Sequence, residues 1–543
     1  MAHLYHKVFG DCNYSMHQPL LRVSYNPREG AATRNLVIVI LLLLLAVPSW
    51  ATTYYISKST GLDTNNGTAK GTPWAHLPGM ASCTSNCLGH TPTAGDTFIL
   101  MGCDTWTSSD LPVLWNWSGS SGSPITITVD KTWYNATACP SAWNRPIWDA
   151  GGATMSPLND MFVAGYSGAT SWGVLDNIEM IDLYSTGGGA AAYEACYEGC
   201  ENWIFSNIYA HKLKIVLDGA CNLFAGAGSS ISGNLWTNIV VNGADASGQN
   251  PAGAVCYAFG GVMGGDIKNS VIHDVANGFV GGAPAGGSPM TISGNLIYNI
   301  KESNASVHPN AIEVTGPNST STYYVHDNFI HDLVAGVEAI MLGNPGETDY
   351  VWNNVISISS GGSAPDFPQA SGSPGVAAYY WNNTIIPPSG ASCFYQNGGN
   401  PTPTVVIQNN HCITTGAVAT GFTSGSLTVT NNLLQTPSQA DANISPNYDQ
   451  YTSSETYVYS PVASTNSTVG YGTNLTGDCS GLLAGLCSDT DYAVIYDSTA
   501  QTTTSPGRTQ NSRPASGAWD AGAYQSGDPP GPEPPSKVQA IPH

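Results

Sequence analysis

Asn295-Leu296-Ile297-Tyr298-Asn299 and Asn328-Phe329-Ile330-His331-Asp332 are two copies of one pattern. NIYAH (207–211), NIVVN (238–242), SVIHD (270–274), NVISI (354–358), NTIIP (383–387), NHCIT (410–414) and NLLQT (432–436) align with them without gaps. All but the segment at 270 open on Asn, and successive segments begin 22 to 33 residues apart. Each reads as a short strand with apolar residues two apart, bounded by Gly, Ser, Pro and Asn clusters that read as turns. No helix-length amphipathic segment interrupts them. One such unit per coil, with no helix, specifies an all-β solenoid of stacked parallel coils. A propeller needs units of about 40–50 residues, and a sandwich would not hold one residue type in register over so many units. The recurrent Asn also has a physical task. Placed inward at a bend, its amide bonds the Asn of the coils above and below and satisfies buried polar groups along the stack.

The pattern assigns faces as well. With Asn295 and Ile297 inward, Tyr298 points out, and so do His273 and His331. The gapless alignment then puts Ala210, Val241, His273, Tyr298 and His331 in one outward column, with His211, Asn242, Asp274, Asn299 and Asp332 in the next. Two His-Asp pairs thus flank a Tyr-Asn pair on successive coils. The bland reading of such a column is a solvated polar stripe.

Composition agrees with the solenoid and removes other classes. Of 543 residues, 42% are hydrophobic and 10% aromatic, but only 10% are charged, against roughly 25% in ordinary soluble domains. Disordered chains combine low hydrophobicity with high charge, the opposite of this one. Helical bundles need Ala, Glu, Lys, Leu and Arg in bulk. Fifteen basic residues against 37 acidic ones do not supply the basic face that nucleic acid requires, so nucleic-acid partners are not expected.

At the amino terminus, Arg22, Arg28 and Arg34 precede the apolar run Leu36 to Val47, and Pro48-Ser49-Trp50-Ala51 follows. This basic, apolar, small-residue order predicts a signal peptide over 1–51 and export of the remainder. The run is too short for a membrane span, which takes about 20 residues, so no span is expected after cleavage. An exported chain can form disulfides. Cys83/Cys87, Cys196/Cys200, Cys479/Cys487 and Cys393/Cys412 are near enough in sequence to be partners, and Cys196-x3-Cys200 is also a weak zinc candidate.

Several segments outside the repeat carry a family resemblance. Tyr54-Tyr55-Ile56-Ser57 with Gly61, Asp63, Gly67, Pro73 and Trp74 resembles the first, capping strand of exported right-handed parallel β-helix proteins of the pectate-lyase-like superfamily. Ala94-Gly95-Asp96-Thr97-Phe98-Ile99-Leu100 resembles the strand that begins their helix, and Trp519-Asp520-Ala521-Gly522-Ala523-Tyr524 resembles their terminal segment. The resemblance spans roughly residues 53–525. It implies a right-handed parallel β-helix over 52–440 with a capping strand, and C-terminal coils or a cap over 441–525. Residues 526–543, SGDPPGPEPPSKVQAIPH, read as a Pro-rich linker ending in what resembles the first strand of a fibronectin-type module. The superfamily holds lyases, hydrolases and non-catalytic surface proteins, so the fold does not choose the function.

Charge is scarce, and it concentrates between Asp274 and Glu338. Lys301 and Glu302 precede Ser306-Val307-His308-Pro309-Asn310-Ala311-Ile312-Glu313-Val314, whose NAIEV aligns with Glu338-Ala339-Ile340-Met341-Leu342 one coil later. With Ile312 and Ile340 inward, Glu313 points out and Glu338 stacks on Asn310. His308 to Glu313 resembles an HPDxIQ/E segment of the superfamily, with Asn310 where Asp is usual; this departure withholds a metal or acid role from position 310. No arginine occurs between Arg145 and Arg508. β-Elimination from a uronate needs a base for the C5 proton and a cation for the developing carboxylate-enolate. Some lyases of this superfamily meet that need with lysine and Ca²⁺. The resemblance makes Lys301 the candidate base, and Asp274, Glu302, Asp327 and Asp332 candidate Ca²⁺ ligands. A hydrolase needs instead two carboxyls about 5–9.5 Å apart, for which Glu313 with Glu338 or Asp332 is the candidate set. The paired-Asp, Gly-His-Gly and Arg-Ile-Lys motifs of polygalacturonases are absent.

Lys301, Glu302, His308, Glu313, His331, Asp332 and Glu338 are therefore the catalytic candidates. His273, Tyr298, Asn310, Tyr323 and Trp352 are the substrate-binding candidates, with Tyr324, Tyr379, Tyr380 and Trp381 as further stacking rings. The expected protein is a secreted or cell-surface monomer that degrades a polysaccharide, by elimination first and hydrolysis second. The competing class is a non-catalytic glycan-binding or structural solenoid.

Overall fold

In the computed structural model, residues 51–185, 192–215, 221–227, 230–248, 256–283, 289–300, 310–314, 321–333, 338–342, 346–358, 377–396, 404–422, 426–443, 460–461, 464–491 and 493–526 are described. Residues 1–50, which hold all but the last residue of the predicted signal peptide, and those beyond 526 lie outside them. Each coil contributes one strand to each of three parallel sheets, here called A, C and B in the order the chain visits them. One coil runs Gly265–Lys268 in sheet A, Val271–His273 in sheet C and Asn277–Gly282 in sheet B. The next runs Met290–Ser293, Leu296–Tyr298 and Asn310–Val314. Sheets A, C and B hold 13, 12 and 8 strands, every pairing within them parallel and between neighbouring coils. This is the expected right-handed parallel β-helix, with the hand that parallel crossovers adopt almost without exception. Thr53–Ile56 pairs with Thr97–Gly102 as the capping strand.

The Asn repeat makes the bend between sheets A and C. Asn295 Nδ2 donates to Asn328 Oδ1 at 3.0 Å, and Asn328 Nδ2 to Asn354 Oδ1 at 2.9 Å. The ladder continues through Asn383 and Asn410 to Asn432 at 3.0, 3.0 and 2.8 Å. The residue before each rung holds a positive φ, as at Asp327 (55°), Asn353 (55°) and Asn382 (53°), the left-handed region that Asn and Asp tolerate best after Gly.

One face assignment is corrected in the early coils. Asn207 and Asn238 hold φ of 55°, so they match Asn269 and not the inward Ser270. In register, His211 lies beside Asn242, Asn242 beside His273, and Val241 beside the inward Ile272. The bend has two consecutive positions that both accept Asn. In these coils the left-handed one carries it, while Ile208 and Ile239 fill the inward one. A one-residue slip in a period-2 pattern exchanges the faces.

The described residues of 464–526 form a cap over the outer faces of sheets A and C. Leu475, Leu486 and Trp519 bury the outer residues Trp352 and Trp381 of sheet A. Ala493, Val494, Tyr496, Ala523 and Tyr524 cover Val271, Leu296, Tyr298, Phe329 and Val355 of sheet C. Disulfides join Cys83–Cys87, Cys196–Cys200, Cys393–Cys412 and Cys479–Cys487, the four pairs close in sequence, and also Cys103–Cys139. The Cys196–Cys200 bond replaces the zinc reading of that pair.

Candidate active site on sheet B

Sheet B keeps an outer face that the cap does not cover. Phe162, Glu194, Phe224, Phe259, Phe279, Ile312 and Ile340 stand in register on the inward side. The residue after each faces outward, because side chains alternate along a strand. That outward column reads Val163, Ala195, Ala225, Gly260, Val280, Glu313, Met341. Its middle is a floor of small residues, and Glu313 is the carboxylate that rises from it.

A polar column runs beside this floor, three residues earlier in each strand: Asn222, Tyr257, Asn277, Asn310, Glu338. Asn222 and Asn310 lean over the floor. Asn310 Nδ2 donates to Glu313 Oε2 at 2.6 Å and lies 3.3 Å from Met341 Sδ. A Cβ at residue 260 would meet Asn222 Oδ1 at 2.0 Å, which accounts for Gly260. Glu338 is the register partner of Asn310, so Glu313 and Glu338 flank one amide from adjacent coils about 4.8 Å apart. Burial and then the Glu313 charge raise the Tyr257 phenol above its usual range, which keeps it protonated near neutral pH. Among the described residues, no lysine or arginine stands on a strand of sheet B.

Of the residues predicted from sequence, Asn310, Glu313 and Glu338 come together here. Lys301, Glu302 and His308 fall in 301–309, outside the described residues. Tyr257, Asn222 and Asn277 were missed, yet a second repeat marks them. NLFAG (222–226), YAFGG (257–261), NGFVG (277–281) and NAIEV (310–314) share a polar residue two before an inward apolar one.

The His-Asp stripe is corrected. His273, Tyr298 and His331 do stack along sheet C, with ring centroids 4.8 and 5.1 Å apart. They face the C-terminal cap, however, and His331 has no solvent exposure, so no polysaccharide reaches them. Asp274 and Asp332 take left-handed turn conformations (φ 58° and 50°) and accept hydrogen bonds from the Nδ1 of His273 and His331 at 2.8 and 2.9 Å. Their acids serve the turn. Asp327 accepts from His326 Nδ1 at 2.6 Å and precedes a sheet C strand, whereas Asp274 follows one. The two proposed Ca²⁺ ligands therefore sit at opposite ends of the sheet and do not share an ion. Among the described residues, no group of three or more His, Cys, Asp or Glu is placed to hold a metal.

The stacking rings are corrected too. Tyr323 and Tyr380 point into the core, and Trp352 lies under the cap. Tyr324, Tyr350 and Tyr379 stack on one another at 5.4 and 4.9 Å, so their faces are occupied by each other.

No family model matches the chain, and no curated protein matches it by sequence. Among solved structures it is similar to a rhamnogalacturonan lyase, at 13% identity and a TM-score of 0.48, over 74% of this chain and 97% of that one. A GH136 lacto-N-biosidase from Eubacterium ramulus aligns at 11% identity and 0.36, over 74% of this chain and 70% of that one. Pectate lyase Pel9A aligns at 13% and 0.36, over 88% of this chain and 97% of that one.

Proposed function

We propose that this chain is an exported glycan-degrading protein whose reaction centre is the outer face of sheet B around Glu313. The observation that carries the reading is a half-buried carboxylate, held by the Asn310 amide at 2.6 Å, beside a column of small residues. A sugar ring can lie flat on such a floor, and an oriented carboxylate in a chain this poor in charge is costly without a use. The disulfides fit an oxidising, extracellular compartment.

The first chemistry is β-elimination from a uronate. A base takes the C5 proton, the C5–H electrons form the C4=C5 bond, the C4–O bond breaks, and the departing oxygen takes a proton. Lys301, in the segment leading into Asn310–Val314, is the assigned base. Tyr257 is the proton donor, since its phenol stays protonated. Glu313 accepts hydrogen bonds from sugar hydroxyls. Hydrolysis is the second reading, favoured by Glu338 beside Asn310, which supplies a second carboxyl.

The test is a panel of uronate-containing polysaccharides, read by ultraviolet absorbance of unsaturated ends and by reducing ends. Glu313→Gln is expected to lower kcat/KM by about 10²-fold or more. Lys301→Ala is expected to abolish unsaturated product if elimination operates. Reducing ends without absorbance would assign hydrolysis. No product on any glycan would leave the non-catalytic solenoid as the reading.

A further inference from the structure

A cleft lies away from sheet B, where the C-terminal hairpin crosses the first coils. Ile495–Asp497 and Thr502–Thr504 form this antiparallel hairpin. Arg145 anchors it: the guanidinium donates to the carbonyls of Ala500 and Gln501 at 3.3 and 2.9 Å and to Asn207 O at 3.0 Å. Between the hairpin, residues 139–145 and the outer face of sheet C is a cleft of about 710 Å³, lined among others by Lys131, Trp143, Asn144, Asn177, Glu179 and Tyr209.

We infer that this cleft binds the carboxylate-bearing end of a glycan. Three observations converge. Positive charge is rare in this chain, with 15 basic residues of 543, yet the exposed Lys131 lines this cleft and the buried Arg145, its donors turned to backbone carbonyls, lies behind it. The one acid in the lining, Glu179, accepts from His211 Nε2 at 3.0 Å, an imidazole that Asp245 also meets at 2.7 Å, so the lining sets two cations against one acid. Lys131 Nζ lies 5.1 Å from the centre of the Trp143 ring. A uronate carboxylate paired with that ammonium places its own pyranose ring beside the indole, the arrangement in which sugar C–H groups stack on an aromatic face.

The platform is also preorganised. Trp143 is seated on Gly102, where any Cβ would meet the indole Nε1 at 2.4 Å, and the Cys103–Cys139 disulfide ties down the loop that carries it. A group fixed in advance loses little entropy on binding. The choice of a glycan as ligand rests on the function proposed above, but the site is separate from sheet B, so its engagement would hold substrate chains rather than cleave them.

The experiment is lysine footprinting of the full chain, with acetylation at Lys131 read by mass spectrometry. Galacturonic-acid oligomers are the probe and neutral galactose oligomers the comparison. Protection of Lys131 by at least several-fold with the acidic oligomer only, lost in Trp143→Ala, is the expected result. Lys131 is exposed, so Lys131→Gln should fold normally and lower the affinity for the acidic oligomer in calorimetry. Protection should persist in Glu313→Gln, which separates this site from sheet B. Equal labelling with and without saturating acidic oligomer would overturn the inference, whatever the outcome of the sheet B assays. Equal protection by both oligomers would overturn its carboxylate specificity.

Discussion

Glu194 occupies an inward position that aromatic side chains fill in the flanking coils, in register with Phe162 and Phe224. Trp236 Nε1 donates to its Oε2 at 3.1 Å. Burial, with the nearby Asp160 adding, raises its carboxyl well above the ordinary range. Asp160 is pushed up by burial to about 7, and Asp491, by burial and the neighbouring Asp327, to about 8. A carboxyl whose folded pKa is raised contributes stability that is full below its unfolded pKa and is lost as pH rises through the folded value. The solenoid should therefore lose stability from about pH 4 toward pH 8. Asp160→Asn keeps the acceptor for the Ala192 amide and removes the titration. It is expected to raise stability at pH 8 by up to about 4 kcal/mol and to flatten the dependence. Thermal melts of both proteins at pH 5 and pH 8 check this; an unchanged slope would refute the role of Asp160.

At the scale of the element, the Asn ladder fastens coil to coil. Asn354 makes five bonds with N, O and amide groups: its Nδ2 reaches Val325 O, Trp352 O and Asn383 Oδ1, and its Oδ1 takes the main-chain and side-chain N–H of Asn328. Asn354→Ala leaves buried partners unsatisfied, at about 1–3 kcal/mol each, so a loss of roughly 2–4 kcal/mol is expected by urea denaturation. Asn432, the last rung, should cost about 1 kcal/mol or less on the same substitution, because water reaches it. The ladder was legible in sequence because its geometry tolerates few other side chains. The face of the early coils was not, since Asn207 and Asn238 occupy the neighbouring bend position and nothing local distinguishes two adjacent asparagines. The outward side of His273, Tyr298 and His331 was legible as well. Their cover was not, because it arrives from residues 493–524, some two hundred positions later.

At the scale of the whole molecule, the cap returns the chain end to the first coils. Trp519 is fully buried against Trp352 and Trp381, and its Nε1 donates to Pro514 O at 2.8 Å. Trp519→Ala is expected to cost about 3–5 kcal/mol, with faster proteolysis between residues 464 and 526 than elsewhere; an unchanged melt would show that the cap contributes no stability. The described cap residues pack on the outer faces of sheets A and C and so cover the His-Asp stripe, whereas they make no apolar cluster with the outer face of sheet B that carries Glu313.

The sequence by itself determined the solenoid and its bend ladder, offered four cysteine pairs as possible partners, and set Asn310, Glu313 and Glu338 on neighbouring coils. These rest on periodicity and on neighbours one coil apart, and the repeat writes both into the chain. Only the tertiary structure decided which outward faces meet solvent. Burial of a β-helix face depends on where a distant, non-repeating segment comes to rest, and that is a balance of apolar contact over the whole surface rather than a property of any local pattern.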